Sequence, residues 1–80
     1  MSKDFVKKNI KLSLEFDSYA ARHPSIYKKI PNGSWVIFTD TRDTKFSTLS
    51  RTLAHSARTG KVVEAYKEAG AWKVVAILKQ

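Results

Sequence analysis

Placed at 100° per residue, Phe5, Leu12, Phe16, Tyr19 and Ala20 fall within one stripe about 100° wide, which predicts an amphipathic helix from Asp4 to about Arg22. Val6, Ile10, Leu14 and Ala21 extend the apolar arc beyond half the circumference. One sheet face does not normally cover so wide an arc, so the excess predicts a second packing partner. Ser2 is the candidate N-cap, and Asp4 suits the positive end of the helix dipole. The opposite face carries Asp4, Lys7, Lys8, Lys11, Glu15 and Arg22. Asp4 and Lys8 stand four apart, as do Lys11 and Glu15, which predicts ion pairs on a solvated face rather than a ridge for DNA.

His23-Pro24 ends that helix, because proline disfavours helical geometry in the residue before it. Pro24 suits the first turn of a new short helix to about Lys29, with His23 near its N-cap and Ile26, Tyr27 and Ile30 folding back over the first helix. Pro31-Asn32-Gly33 then reads as a turn. Trp35-Val36-Ile37-Phe38-Thr39 is a continuous apolar run, as expected of a strand covered on both faces. Several N-cap candidates follow in the stretch 40–44. Phe46, Leu49, Leu53 and Ala57, with Ser50 and Ala54 beside them, mark a second long helix, with Arg58 in its last turn and Gly60 as its C′ residue. Val62 to Tyr66 is a second strand, Lys67 to Ala71 a hairpin loop, and Trp72 to Leu78 a third strand.

The element order is α-α-β-α-β-β, an α/β (α+β) fold with a three-stranded mixed sheet and two long helices in one domain, residues 1–80. The strand–helix–strand unit from Trp35 to Tyr66 is expected to make a right-handed crossover with its strands parallel, and the hairpin to add strand three antiparallel. In strand three, Trp72, Val74, Ala76 and Leu78 point one way and Val75 and Ile77 the other. Either the helices flank the sheet on opposite sides, or a second copy covers one face.

With 80 residues, 42% of them hydrophobic, the chain is globular but close to the smallest size a single core supports, which favours oligomerisation. It contains no cysteine, so neither a disulfide nor a thiolate metal site stabilises it, and a cytoplasmic setting is the expectation. The residues before the first helix do not resemble a signal peptide, and no apolar run approaches the roughly 18 residues of a membrane span. Fifteen Lys and Arg against seven Asp and Glu give a formal charge of +8, which favours an acidic partner such as nucleic acid.

The pattern Lys8-Asn9, Leu12, Glu15-Phe16, Tyr19, His23-Pro24 and Ile30-Pro31, followed by an apolar strand, resembles that of a family of short bacterial and archaeal proteins of unknown function. The resemblance covers about the first 40 residues, and Gly60 with Val62-Val63 resembles the family's second strand. Where that family carries an acidic, proline-rich loop, this chain reads Thr39-Asp40-Thr41-Arg42-Asp43-Thr44-Lys45. The resemblance implies the fold and adds no chemistry.

His23 reads as structural, because His55, the only other histidine, lies on a different helix. Asp40 and Asp43 follow a strand at the end where open α/β sheets place ligands, and two carboxylates three apart suit Mg²⁺, but capping the next helix is the commoner task of such residues. No catalytic, phosphate-loop or metal motif is present, so the chain reads as non-enzymatic, with no cofactor and no metal. Trp35 and Trp72 open strands and read as core margin rather than as base-stacking platforms.

The second helix is different. From Thr44 to Val63 there is no acidic residue. Thr44, Thr48, Arg51, His55 and Arg58 share the face opposite Phe46, Leu49 and Leu53. Arginine suits two-point phosphate contact, and hydroxyls add phosphate hydrogen bonds without reading sequence. The sequence thus points to a binding protein, a homodimer, touching nucleic-acid phosphates through Lys45, Arg51, His55, Arg58 and Lys61. The alternative is an adaptor or antitoxin-like dimer that binds a protein partner through the wide apolar arc of the first helix.

Overall fold

A computed structural model of the chain describes residues 3–56 and 60–78. The elements are α1 (Lys3–Arg22), a 3₁₀ helix η1 (Pro24–Lys29), β1 (Trp35–Thr39), α2 (Thr44–His55), β2 (Lys61–Glu68) and β3 (Ala71–Leu78). The sheet order is β1-β2-β3, with β1 parallel to β2 and β3 antiparallel to it, as the element pattern predicts. The two helices lie on opposite faces.

Val36 and Phe38 of β1, Val63 and Ala65 of β2, and Trp72 and Val74 of β3 point to the face covered by α1 and η1. There Phe5, Leu12, Phe16, Ala20 and Ile26 close over Phe38, Ala65 and Trp72. Phe16 meets Phe38 and Trp72 edge-on, with ring centroids 5.7 and 5.3 Å away, an arrangement that aromatic quadrupoles favour. Trp72 is therefore core, as read. On the other face Ile37, Val62 and Ile77 pack under Ala54 of α2. Phe46, near the start of α2, reaches Phe5 of α1 at 5.0 Å, so α2 touches both halves of the core.

Four sequence expectations change here. The hairpin is tighter than the predicted loop from Lys67 to Ala71, because the pairing runs on to Glu68 and Ala71 and leaves only Ala69-Gly70 between the strands. Both turn residues have positive φ, 51° and 80°, the turn that matches the twist of a two-residue hairpin. Helix α2 stops at His55 with Ser56 as its C-cap, so Gly60 stands before β2 and is not a C′ residue. Ala57 and Arg58 lie outside the described residues, as does the expected N-cap Ser2.

Leu49 is exposed, not core; the inward side of α2 is Phe46, Ser47, Ser50 and Ala54. The helix entry sets this rotation. Asp43 Oδ1 accepts the Phe46 amide at 3.0 Å, and the Ser47 hydroxyl exchanges 2.9 Å hydrogen bonds with both the amide and the carbonyl of Asp40. With Ser47 anchored inward, its small neighbours one turn on lie against the sheet. Trp35, expected at the core margin, is 49% exposed, because it opens β1 on the face that only α2 covers.

Candidate functional site

The sites of interest lie at the two ends of the parallel strands. At the carboxyl end, β1 runs into Asp40, and the hairpin and the polar face of α1 enclose an open cleft of about 850 Å³. Lys7, Lys8 and Lys11 line it with Asp4, Glu15, Asp40, Arg42, Lys67 and Glu68, so cations and carboxylates alternate. Lys8 does not turn along its own helix to Asp4, as the four-residue spacing predicts. Its Nζ donates to Asp40 and Asp43 at 2.8 Å each, and lies 5.0 Å over the Phe46 ring. Hydrogen bonding to Asp40 and Asp43 raises the Lys8 pKa above its ordinary value, and the same bonds hold both carboxyl groups below theirs. The two carboxylates that the sequence offers to a metal ion thus hold an ammonium. Glu15 likewise pairs with Lys67 of β2 at 3.3 Å rather than along its own helix with Lys11.

On the α2 side of the sheet, Arg51 and Glu64 form a two-point ion pair, Nε to Oε1 and Nη2 to Oε2, both at 3.0 Å. The Thr39 hydroxyl donates a further hydrogen bond to Oε2 at 2.9 Å. The Arg51 guanidinium, aided by Thr39 and opposed by burial, holds the Glu64 carboxyl below its ordinary value. Glu64 is the residue that sequence reasoning missed. The signal was present: a carboxylate inside Val62-Val63-Glu64-Ala65 must find a cation to be buried at all.

The residues read as phosphate contacts divide accordingly. Arg51 keeps 54% of its side chain exposed, yet its guanidinium is bonded to Glu64. Lys45 is exposed at the first turn of α2, beside Asp43, whose pKa it helps to lower. His55 is exposed at the far end of the helix. With Arg51 it rims a small groove, about 150 Å³, floored by Ala54, Val62 and Ile77. Lys61 starts β2 and donates to the Asn32 carbonyl at 3.3 Å. Arg58 lies outside the described residues. The fold thus brings His55 and Lys61 to the amino end of the parallel strands and leaves Lys45 at the opposite end.

That amino end has a character of its own. Asp4, Glu15, Asp40 and Glu68 line the carboxyl-end cleft, with Asp43 beside it, and Glu64 is bound to Arg51. Lys28 and Lys29, exposed at the end of η1, stand directly before the Pro31-Asn32-Gly33 turn to which Lys61 is tied. Tyr27 and Trp35, 51% and 49% exposed, lie on either side of that turn. A second acid-free run, Ser18 to Thr39, carries these residues, and it is the sequence signal that would have found them.

His23 is structural. Its ring stacks on Tyr19 with centroids 4.1 Å apart, and its Nδ1 lies 3.1 Å from the Tyr19 carbonyl, where it donates in the Nδ1–H tautomer. Its side chain therefore closes the end of α1 and makes no cap to η1.

These features define a small α+β domain with one three-stranded mixed sheet between two helices. Residues 4–78 match DUF5647, a family of unknown function, and the chain belongs to that family. No curated protein and no solved structure matches the chain. Among the described residues, no helix is long and apolar enough to cross a membrane.

Proposed function

We propose that the protein is a non-enzymatic binding module that contacts the sugar-phosphate backbone of nucleic acid through the amino end of its parallel strands. His55 and Lys61, both within the acid-free stretch 44–63, act there with Lys28 and Lys29. The observation that carries this reading is the segregation of charge. Five of the seven acidic residues gather at or beside the carboxyl-end cleft, where lysines partly neutralise them, and the +8 surplus falls elsewhere. A surface on which cations outnumber carboxylates attracts a polyanion, and release of counterions supplies most of the affinity. Tyr27 and Trp35 present exposed aromatic faces beside those cations, an arrangement suited to unpaired bases.

Fluorescence anisotropy with short duplexes and short single strands, at about 50 and 200 mM salt, tests the reading, because several phosphate contacts make affinity fall steeply across that range. The pair Lys28→Glu and Lys29→Glu is expected to abolish binding. Lys7→Glu with Lys11→Glu, an equal charge change at the carboxyl-end cleft, is expected to leave most of it. Absence of binding at the lower salt rejects the proposal, and equal losses in the two variants reject this location for it.

A further inference from the structure

Among the described residues, the outward side of α1 is left exposed. Val6, Ile10 and Leu14 are 41%, 52% and 61% exposed and form one line along the helix. We propose that this line is a twofold dimer interface, in which α1 packs antiparallel against α1 of a second copy with Ile10 on the axis.

The pattern of residues on either side of Ile10 specifies this occupant. Val6 and Leu14 each stand four residues from Ile10, and Lys3 and Asp17 each stand seven. Across an antiparallel twofold axis through residue 10, Ile10 meets Ile10 of the second copy once, on the axis, while Val6 meets Leu14 and Lys3 meets Asp17, these two contacts each occurring twice. A parallel pair would instead set lysine against lysine and aspartate against aspartate. At 100° per residue Lys3, Val6, Ile10, Leu14 and Asp17 all fall within about 40° of the direction of Ile10, so the five share one face of α1. Neither Lys3 nor Asp17 has an ion-pair partner among the described residues, although Lys8 and Glu15 on the same helix do. The line is therefore self-complementary in charge as well as apolar. Its use here is independent of nucleic-acid binding, which involves the other end of the fold.

Sedimentation of the full chain without nucleic acid tests the proposal, with circular dichroism to show that each variant is folded. The unmodified chain is expected to sediment as a dimer whose population rises with concentration. Ile10→Asp sets two carboxylates face to face on the axis and is expected to weaken association by about tenfold or more. Asp17→Lys is expected to weaken it too, and adding Lys3→Asp to that variant to restore it, a recovery that mere stickiness of an apolar surface does not produce. Because the chain has no cysteine, Ile10→Cys is expected to form a disulfide dimer by itself. Val6→Cys and Leu14→Cys chains are expected to cross-link faster when mixed than either does alone. A chain that stays monomeric at its highest soluble concentration, its helix face then left for a different protein, overturns the proposal. So does a dimer insensitive to Ile10→Asp, or one that the double charge exchange fails to restore.

Discussion

Arg51 on α2 and Glu64 on β2 meet through two parallel hydrogen bonds, and Thr39 of β1 adds a third to the same carboxylate, so one buried acid ties together a helix and two strands. Glu64 is 8% exposed, whereas the Arg51 side chain is more than half exposed. Loss of one partner is therefore costlier on the arginine side, because it leaves a buried carboxylate with only a hydroxyl. Arg51→Ala is expected to lower unfolding free energy by about 2 kcal/mol, less than for a fully buried pair because solvent screens the guanidinium. Replacing both residues by leucine is expected to cost less than the sum of the single changes. Urea denaturation of the four proteins measures this coupling, and additive losses would show that the pair contributes nothing.

The same contacts make the fold sensitive to acid. Asp40, Asp43 and Glu64 all have folded pKa values below their ordinary values of 3.8, 3.8 and 4.5. Depressed carboxyl groups stabilise the fold in full above those ordinary values and lose that contribution as pH falls through the lower, folded ones. Thermal stability is expected to be flat just above the acidic range and to fall below about pH 4.5, the ordinary pKa at which Glu64 of the unfolded chain takes up its proton, the folded value lying lower. Glu64→Gln is expected to start from lower stability and to show a shallower fall. Melting curves between neutral pH and pH 3 check both points, and identical slopes would remove Glu64 from the account.

The hairpin turn contains a built-in weakness. Ala69 adopts φ of 51°, a region in which a Cβ is strained, while Gly70 at 80° is not strained. Ala69→Gly, or Ala69→Asn, is expected to raise stability by about 1 kcal/mol, and Gly70→Ala to lower it by a similar amount. Chemical denaturation of the three variants decides this, and a destabilising Ala69→Gly would contradict the turn geometry.

The Ser50 hydroxyl is buried between α2 and the sheet without a hydrogen-bond partner among the described residues. A buried hydroxyl that makes no bond costs free energy, and alanine removes it while keeping nearly the same shape. Ser50→Ala is expected to be neutral or to stabilise by up to about 1 kcal/mol, whereas Ser47→Ala, which breaks both bonds to Asp40, is expected to destabilise by about 1 kcal/mol. Equal effects in the two variants would mean that Ser47 does not anchor the entry to α2.

What the sequence alone determined is the set of elements, their order and their pairing. Periodicity marks α1, the continuous apolar runs mark strands that helices must cover, and His23-Pro24 and Pro31-Asn32-Gly33 stop the chain by backbone chemistry that acts within a few residues. These signals are local, so they survive without coordinates. What only the tertiary structure decided is where each charge goes. Lys8 has a carboxylate four residues away and chooses two others more than thirty residues on; Glu15 reaches past Lys11 to Lys67; Arg51, which reads as a phosphate contact, is bonded to Glu64. Periodicity also misplaced Leu49, because the rotation of α2 follows from the bonds of Asp43 and Ser47 at its entry rather than from apolar count. Long flexible side chains pair with whatever the packing of the backbone brings within reach, and that packing depends on contacts distant in the chain.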